Sequence, residues 1–243
     1  MKKLRACLLM SVMAALALFL SAKPILAADV LITTDQLKQK IDAKEPLLLI
    51  DALSAIEHDE MAIAGSINIP SSKVTVDNPL LPADKNALLI FYCKGPKCSK
   101  SKVAANAATA LGYTNVMIYN EGLPAWAGKG FPVEKKVDYP KVDDLPRLSP
   151  ADVQAMADSV VLLDIRGEEV KDVGRIKNAV AIPLDDLNEQ YTSLPKDKKI
   201  VIMDHAGKQV GITGKFLHMK GYTDLAILDG GMLAWKRAGL PTE

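Results

Sequence analysis

Short apolar runs punctuate the chain at residues 47–50, Leu88–Tyr92 and Val116–Tyr119. They are too short for helices and show no polar alternation, which is the pattern of strands buried on both faces. Between the second and third lies SKSKVAANAATALG, where Val103, Ala104, Ala107, Ala108 and Leu111 recur at helical spacing. Gly112 follows, where a left-handed residue would end that helix. Thr34 reads as a helix start. Ser149-Pro150 reads as another, with an N-cap residue followed by proline at the first helical position. Strands alternating with helices predict an α/β fold with parallel pairing and helices on both faces of the sheet.

The pattern occurs twice. GYTNVMIYNEGLPAWAGKGFPVE at 112–134 aligns without gaps on GYTDLAILDGGMLAWKRAGLPTE at 221–243. Earlier landmarks repeat in the same order. LLLID ending at Asp51 matches VLLDI with Asp164, INIP at 67–70 matches VAIP at 180–183, and LLIFYC ending at Cys93 matches IVIMD ending at Asp204. Two copies of one unit follow, predicted at 29–134 and 147–243. The stretch from Glu134 to Pro146, EKKVDYPKVDDLP, is charged and carries two prolines, so 135–146 is expected to be an exposed linker.

The first 27 residues have a different character. Lys2, Lys3 and Arg5 precede an apolar run from Cys7 to Leu20, and small residues follow at Ala27 and Ala28. That order is expected of a secretory signal. A run of 14 residues is short of the roughly 20 that span a bilayer, so no permanent membrane anchor is expected. The chain carries 30 basic and 29 acidic residues, and four of the basic ones lie in the segment 1–27, which leaves a net charge of −3 beyond it. No Lys/Arg cluster points to nucleic acid.

Beyond that segment only two cysteines remain, Cys93 and Cys98, in one short loop. A disulfide scaffold would spread its cysteines along the chain. A zinc site would need two further ligands, and His58, His205 and His218 lack ligand-like spacing. No metal or other cofactor is therefore expected. The loop follows a strand and opens a helix at Ser99, and open α/β sheets bind ligands outside the carboxyl ends of their strands. Gly95 and Pro96 permit a tight curl that aims backbone N–H groups at Cys93. Those amides, the helix dipole and the charges of Lys94 and Lys97 are all expected to favour a thiolate.

The strand-ending Cys93, the six-residue loop to Cys98 and the helix opening at Ser99 resemble the rhodanese sulfurtransferases. So do Gly122, Trp126, Gly130 and Pro132 in the spacing G-x-x-x-W-x-x-x-G-x-P, and the upstream INIP. The resemblance covers nearly all of the chain beyond the signal, twice, and its C-x-G-P-x-C loop is similar to that of exported bacterial members. It implies two rhodanese-like domains, each a mainly parallel sheet covered by helices on both faces. It further implies a Cys93 persulfide as sulfur carrier, a small-molecule donor such as thiosulfate, and a thiol or cyanide as acceptor. Lys94, Gly95, Pro96, Lys97, Cys98 and Ser99 would form the persulfide-binding loop, in a protein expected in a bacterial periplasm. Phosphatases of this fold need a longer loop ending in arginine, and this loop has none.

Several positions depart from the pattern. Asp204 replaces the cysteine in the second copy and Val210 replaces Ser99, so that domain is expected to be inactive, a module for stability or for a protein partner. Its loop is expected to curl around the Asp204 carboxylate. Cys98 reads either as a resolving thiol or as a small loop residue. Asp51 reads as a structural support for its loop. Arg166 follows Asp164 by two residues, whereas Leu53 stands in the first copy. Glu121 either faces the pocket or points to solvent. Trp126 and Trp235 read as core, and His58, in a charged run, reads as surface. Alternatives to sulfur transfer are a non-catalytic sulfur or chalcogen carrier and a thiol–disulfide protein using Cys93 and Cys98.

Overall fold

The computed structural model describes residues 30–142 and 144–243. The expected signal at 1–27 lies outside the described residues.

The first unit runs α1 (Thr34–Asp42), β1 (Leu47–Asp51), α2 (Ala55–Glu60), β2 (Ala62–Ile63), β3 (Ile67–Asn68), β4 (Leu88–Tyr92), α3 (Lys100–Ala110), β5 (Val116–Tyr119), α4 (Gly122–Gly128) and β6 (Val133–Glu134). Its main sheet is parallel in the order β3-β1-β4-β5, and β2 pairs with β6 separately and antiparallel. The apolar strands need both faces covered, and alternation along them divides the core accordingly. Leu89 and Phe91 face one way and pack with Ala104, Ala105 and Ala108 of α3. Ile90 and Tyr92 face the other way, against Leu37 of α1 and Trp126 of α4.

The second unit runs β7 (Arg147–Leu148), α5 (Pro150–Ala155), β8 (Val161–Asp164), β9 (Val180–Ala181), α6 (Leu184–Gln190), β10 (Ile200–Met203), α7 (Val210–Met219), β11 (Leu225–Leu228) and α8 (Gly231–Arg237). Its sheet is parallel in the order β7-β11-β10-β8-β9. The parallel α/β architecture with helices on both faces is thus present in both units. In each, a tryptophan latches the tail. Trp126 Nε1 donates to the Pro132 carbonyl at 2.9 Å and Trp235 Nε1 to that of Pro241 at 3.0 Å.

Three local expectations need correction. The cap of α1 is Thr33, which forms a capping box with Gln36, while Thr34 is the first helical residue. Its hydroxyl is spent on Tyr119 and Glu121 instead. The face that α3 buries is Ser101, Ala104, Ala105 and Ala108, and Val103 is 42% exposed. The apolar stripe is rotated because alanines on neighbouring faces satisfy more than one helical register. The stretch between the domains is not simply an exposed linker. Tyr139 is buried in the second unit's core beside Ile56 of α2, with Val137 and Leu145 packed against that cluster. Lys136 and Val137 donate their amides to the Asp59 carbonyl. The prolines and charges suggested exposure, but the apolar residues among them carry the contact.

The domains touch directly as well. Lys215 pairs with Glu60 at 2.7 Å, and Lys73 pairs with Asp186 and Glu189. These partly exposed pairs contribute little each, roughly 0–1 kcal/mol. The apolar contact of Ile56, about 1.5–3 kcal/mol for a fully buried aliphatic side chain, outweighs any one of them.

Candidate active site

Cys93 directly follows the carboxyl end of β4, the central strand. Only 1% of the residue is exposed. Its Sγ lies 3.4 Å from the Cys98 carbonyl oxygen and 3.4 Å from Ser101 Oγ. A hydrogen bond from the Cys98 thiol draws the Cys93 thiol down to about 6, against the opposing effect of burial. The Ser101 hydroxyl and the amides of Ser101 and Gly95 act in the same direction. Cys98 moves the opposite way: donating to Cys93 and being buried both hold its own proton on. One thiolate and one thiol therefore share the loop.

The lysines act differently from expectation. Lys94 pairs with Glu57 Oε1 at 2.9 Å, and Lys97 is exposed. Burial alone would raise the Glu57 carboxyl, but the charges of Lys94 and Lys100 hold it below the usual range. Glu57 also closes the capping box of α2 with Ser54. The positive charge beside Cys93 is thus largely spent on a carboxylate, and the thiolate rests on short-range donors. Ser99 is the cap of α3 but makes no side-chain cap bond.

Gly122, the first residue of α4, closes the loop from behind. Its φ is +71°, and a Cβ there would overlap the Cys93 carbonyl oxygen and come within 2.5 Å of the Gly95 nitrogen. The Leu123 amide donates to the Cys93 carbonyl at 3.0 Å. Glu121 does not face Cys93 with its carboxylate, which accepts from the Thr34 amide and hydroxyl at the start of α1.

Asp51, fully buried at the end of β1, accepts from the Leu53 amide and bonds His58 Nδ1, both at 3.0 Å. Burial raises its carboxyl, while the His58 and Leu53 bonds oppose this. His58 is buried at 2% exposure, which corrects the surface reading. Its Nε2 lies 3.2 Å from Lys136 Nζ, so the ring bridges Asp51 and Lys136 through its two nitrogens. In the second unit Asp164 is held by Arg166 instead, through Nε at 2.8 Å and Nη2 at 2.7 Å. One buried aspartate has two different cationic or polar partners in the two copies.

Asp204 ends up where Cys93 stands. Its carboxylate accepts from the backbone amides of Ala206, Gly207, Lys208 and Gln209, at 2.9 Å for Ala206, 2.7 Å for Lys208 and 2.6 Å for Gln209. Gly231 closes this loop as Gly122 closes the other, and the Met232 amide donates to the Asp204 carbonyl at 2.9 Å.

The model of the rhodanese-like domain matches residues 33–129 and 149–238. The chain belongs to the rhodanese-like domain family. It is 33% identical over 90 residues to a protein named sulfurtransferase from Allochromatium vinosum, covering 36% of this chain and 84% of that one. It is 36% identical over 86 residues to slr1261, an uncharacterised protein of Synechocystis sp., covering 35% of this chain and 48% of that one. It thus spans about half the length of that cyanobacterial relative. Among solved structures, a thiosulfate sulfurtransferase from Pseudomonas aeruginosa aligns at 21% identity with a TM-score of 0.40, over 88% of this chain and 43% of that one.

Of the loop residues expected from the sequence in this rhodanese-like domain, Gly95 and Cys98 converge on Cys93, Lys94 turns to Glu57, and Pro96, Lys97 and Ser99 are exposed. Sequence reasoning missed Ser101, Glu57 and His58. Ser101 was legible as one helical turn beyond the loop, and Glu57 as the fourth residue of a Ser-x-x-Glu capping pattern. Among the described residues, no group of three or more His, Cys, Asp or Glu side chains could hold a metal ion.

Proposed function

We propose that this protein is a sulfurtransferase that carries sulfane sulfur on Cys93. The observation that carries the reading is the Cys93 thiol drawn to about 6 at a strand's carboxyl end, within a ring of amide, hydroxyl and thiol donors. At neutral pH the sulfur is mostly anionic and nucleophilic. The thiolate attacks the outer sulfur of a donor such as thiosulfate. A new S–S bond forms, the donor's S–S bond breaks, and sulfite leaves with its electron pair. The terminal sulfur anion of the persulfide takes up the donors that held the thiolate. A thiolate or cyanide then attacks that sulfur, and Cys93 departs as thiolate. The named relative from Allochromatium vinosum supports this chemistry. The basic–apolar–small order of residues 1–27 supports export to a periplasm. We assign the second domain no sulfur transfer, because a carboxylate cannot accept and release sulfane sulfur.

A second reading rests on the bond from Cys98 to Cys93. With a disulfide oxidant, such as an oxidised small-molecule thiol, the Cys93 thiolate would attack and form a mixed disulfide. Cys98 would then close a Cys93–Cys98 bond, passing two electrons to the oxidant. Mass spectrometry of the protein after thiosulfate treatment separates the two. A gain of one sulfur atom on the Cys93 peptide is expected. Loss of two hydrogens across the Cys93 and Cys98 peptides, without sulfur gain, would overturn sulfur transfer in favour of the redox reading.

A further inference from the structure

The two domains meet through equivalent segments. Ser72 is the second residue after the proline of INIP, and Asp185 is the second after the proline of VAIP. Ser72 Oγ donates to Asp185 Oδ2 at 2.8 Å. Like positions therefore face each other across the domain contact, but the charges there do not match. Lys100 opens α3 directly after the Cys93 loop, and its Nζ lies 2.5 Å from Asp185 Oδ1. The residue equivalent to Lys100 in the second domain is Gly211, and the equivalent of Asp185 is the uncharged Ser72. An ionic contact therefore reaches from the second domain to the cysteine-bearing loop, and the exchanged positions cannot make the reverse one.

This contact is sheltered. Asp185 is 7% exposed and the Lys100 side chain 15%. Ion pairs at such sheltered sites are costly to break because little water reaches them. Lys100 also acts on Glu57, which holds Lys94 on the other side of the loop. A line of alternating charge, Asp185, Lys100, Glu57, Lys94, runs from the second domain to the residue next to Cys93.

We propose that Asp185 of the second domain is a positioning residue for the Cys93 loop, acting through Lys100. It fixes the first turn of α3, and with it the amides and the Ser101 hydroxyl that face the sulfur. The unreactive domain thereby completes the site of the reactive one. This rests on Cys93 being the reacting sulfur, but the test reads alkylation, which does not require sulfur transfer.

The test measures the rate of Cys93 reaction with iodoacetamide against pH in the full chain, with Cys98→Ser in every protein. Removing the Asp185 charge has opposite effects under the two physical accounts. If Asp185 only acted through space, its loss would stabilise the thiolate and lower the midpoint. If it positions the loop, Asp185→Asn weakens the donors and raises the midpoint, on the order of half a pH unit. Asp186→Asn, which loses only a contact to Lys73, should leave the midpoint in place. Because Asp185→Asn also changes the surroundings of a half-buried lysine, a second comparison uses Lys100→Met alone and with Asp185→Asn. The two should have the same midpoint, since Asp185 has nothing left to act through. A lowered or unchanged midpoint in Asp185→Asn, or a further shift from it in the Lys100→Met background, would overturn the proposal. The expected alkylation shifts in a protein whose unsubstituted parent transfers no sulfur would count against the functional reading alone.

Discussion

The loops after β4 and β10 share one backbone design and differ in what fills it. In the first, amides and a hydroxyl converge on the Cys93 sulfur and favour its anion, which the proposed function would load and empty. In the second, four amides converge on the carboxylate of Asp204, an anion carried by the chain itself. Both are closed from behind by a glycine whose missing Cβ lets α4 or α8 approach the loop carbonyl. The comparison separates holding an anion, which both loops do, from exchanging one, which the proposed function assigns to the cysteine alone. The built-in anion takes up all four of these amides.

The largest effect should come from removing the exchangeable atom. Cys93→Ser should reduce thiosulfate-to-cyanide transfer to background, while Asp204→Ala retains most of it. Steady-state assays of the two variants check this, and normal turnover in Cys93→Ser would place the chemistry elsewhere. Next come the closing glycines. Gly122→Ala forces a side chain into a positive-φ site against the Cys93 carbonyl and should cost at least about 2–3 kcal/mol, with transfer falling more than tenfold. Gly231→Ala meets the Asp204 carbonyl and should cost a similar amount in denaturant titrations without displacing Cys93.

How these features stood in the sequence is instructive. The strands, the repeat and the Cys93 loop were legible because continuous apolar runs, a Gly/Trp/Pro spacing and a lone pair of cysteines are local signals. His58 was not, because its neighbours Glu57, Asp59 and Glu60 look like a solvated face. Only the fold brings Asp51 beneath it and Lys136 above it. The role of Lys94 was misjudged for a similar reason. Proximity in sequence suggested that it serves Cys93, but a capping glutamate from α2 takes its charge. Asp185 lies 92 positions beyond Cys93, so its contact with Lys100 exists only once both domains are packed.

A smaller effect should follow from emptying the second loop. Asp204→Ala orphans four amides and should destabilise the second domain by about 1–3 kcal/mol. It also converts that loop into a vacant anion cradle. Sulfate should then raise the melting temperature of the variant more than that of the parent. An equal response would mean that the carboxylate is not what fills the site.

The smallest effects concern the thiolate itself. Deprotonation creates the nucleophile, so alkylation of Cys93 should rise with pH through about 6 and level off above it. Cys98→Ala removes the largest downward influence and should move that midpoint up by roughly one unit. Lys97→Ala, at an exposed site, should move it by no more than about a few tenths, less at high salt. A Lys97 effect as large as that of Cys98 would return the lysines to the role that the sequence suggested.

The two tryptophan latches make the domains separately visible. Trp126 and Trp235 are the chain's two tryptophans, one per domain, each buried and tied to its own tail carbonyl. Trp126→Phe and Trp235→Phe therefore give two proteins whose fluorescence reports one domain apiece. In each, melting of the latch frees a buried indole from its tail carbonyl and exposes it to water, so emission shifts to the red. Superimposable unfolding curves would mean that breaking one half breaks the other. Separated curves would give the order in which the halves let go, and so a direct measure of how firmly the second domain grips the first.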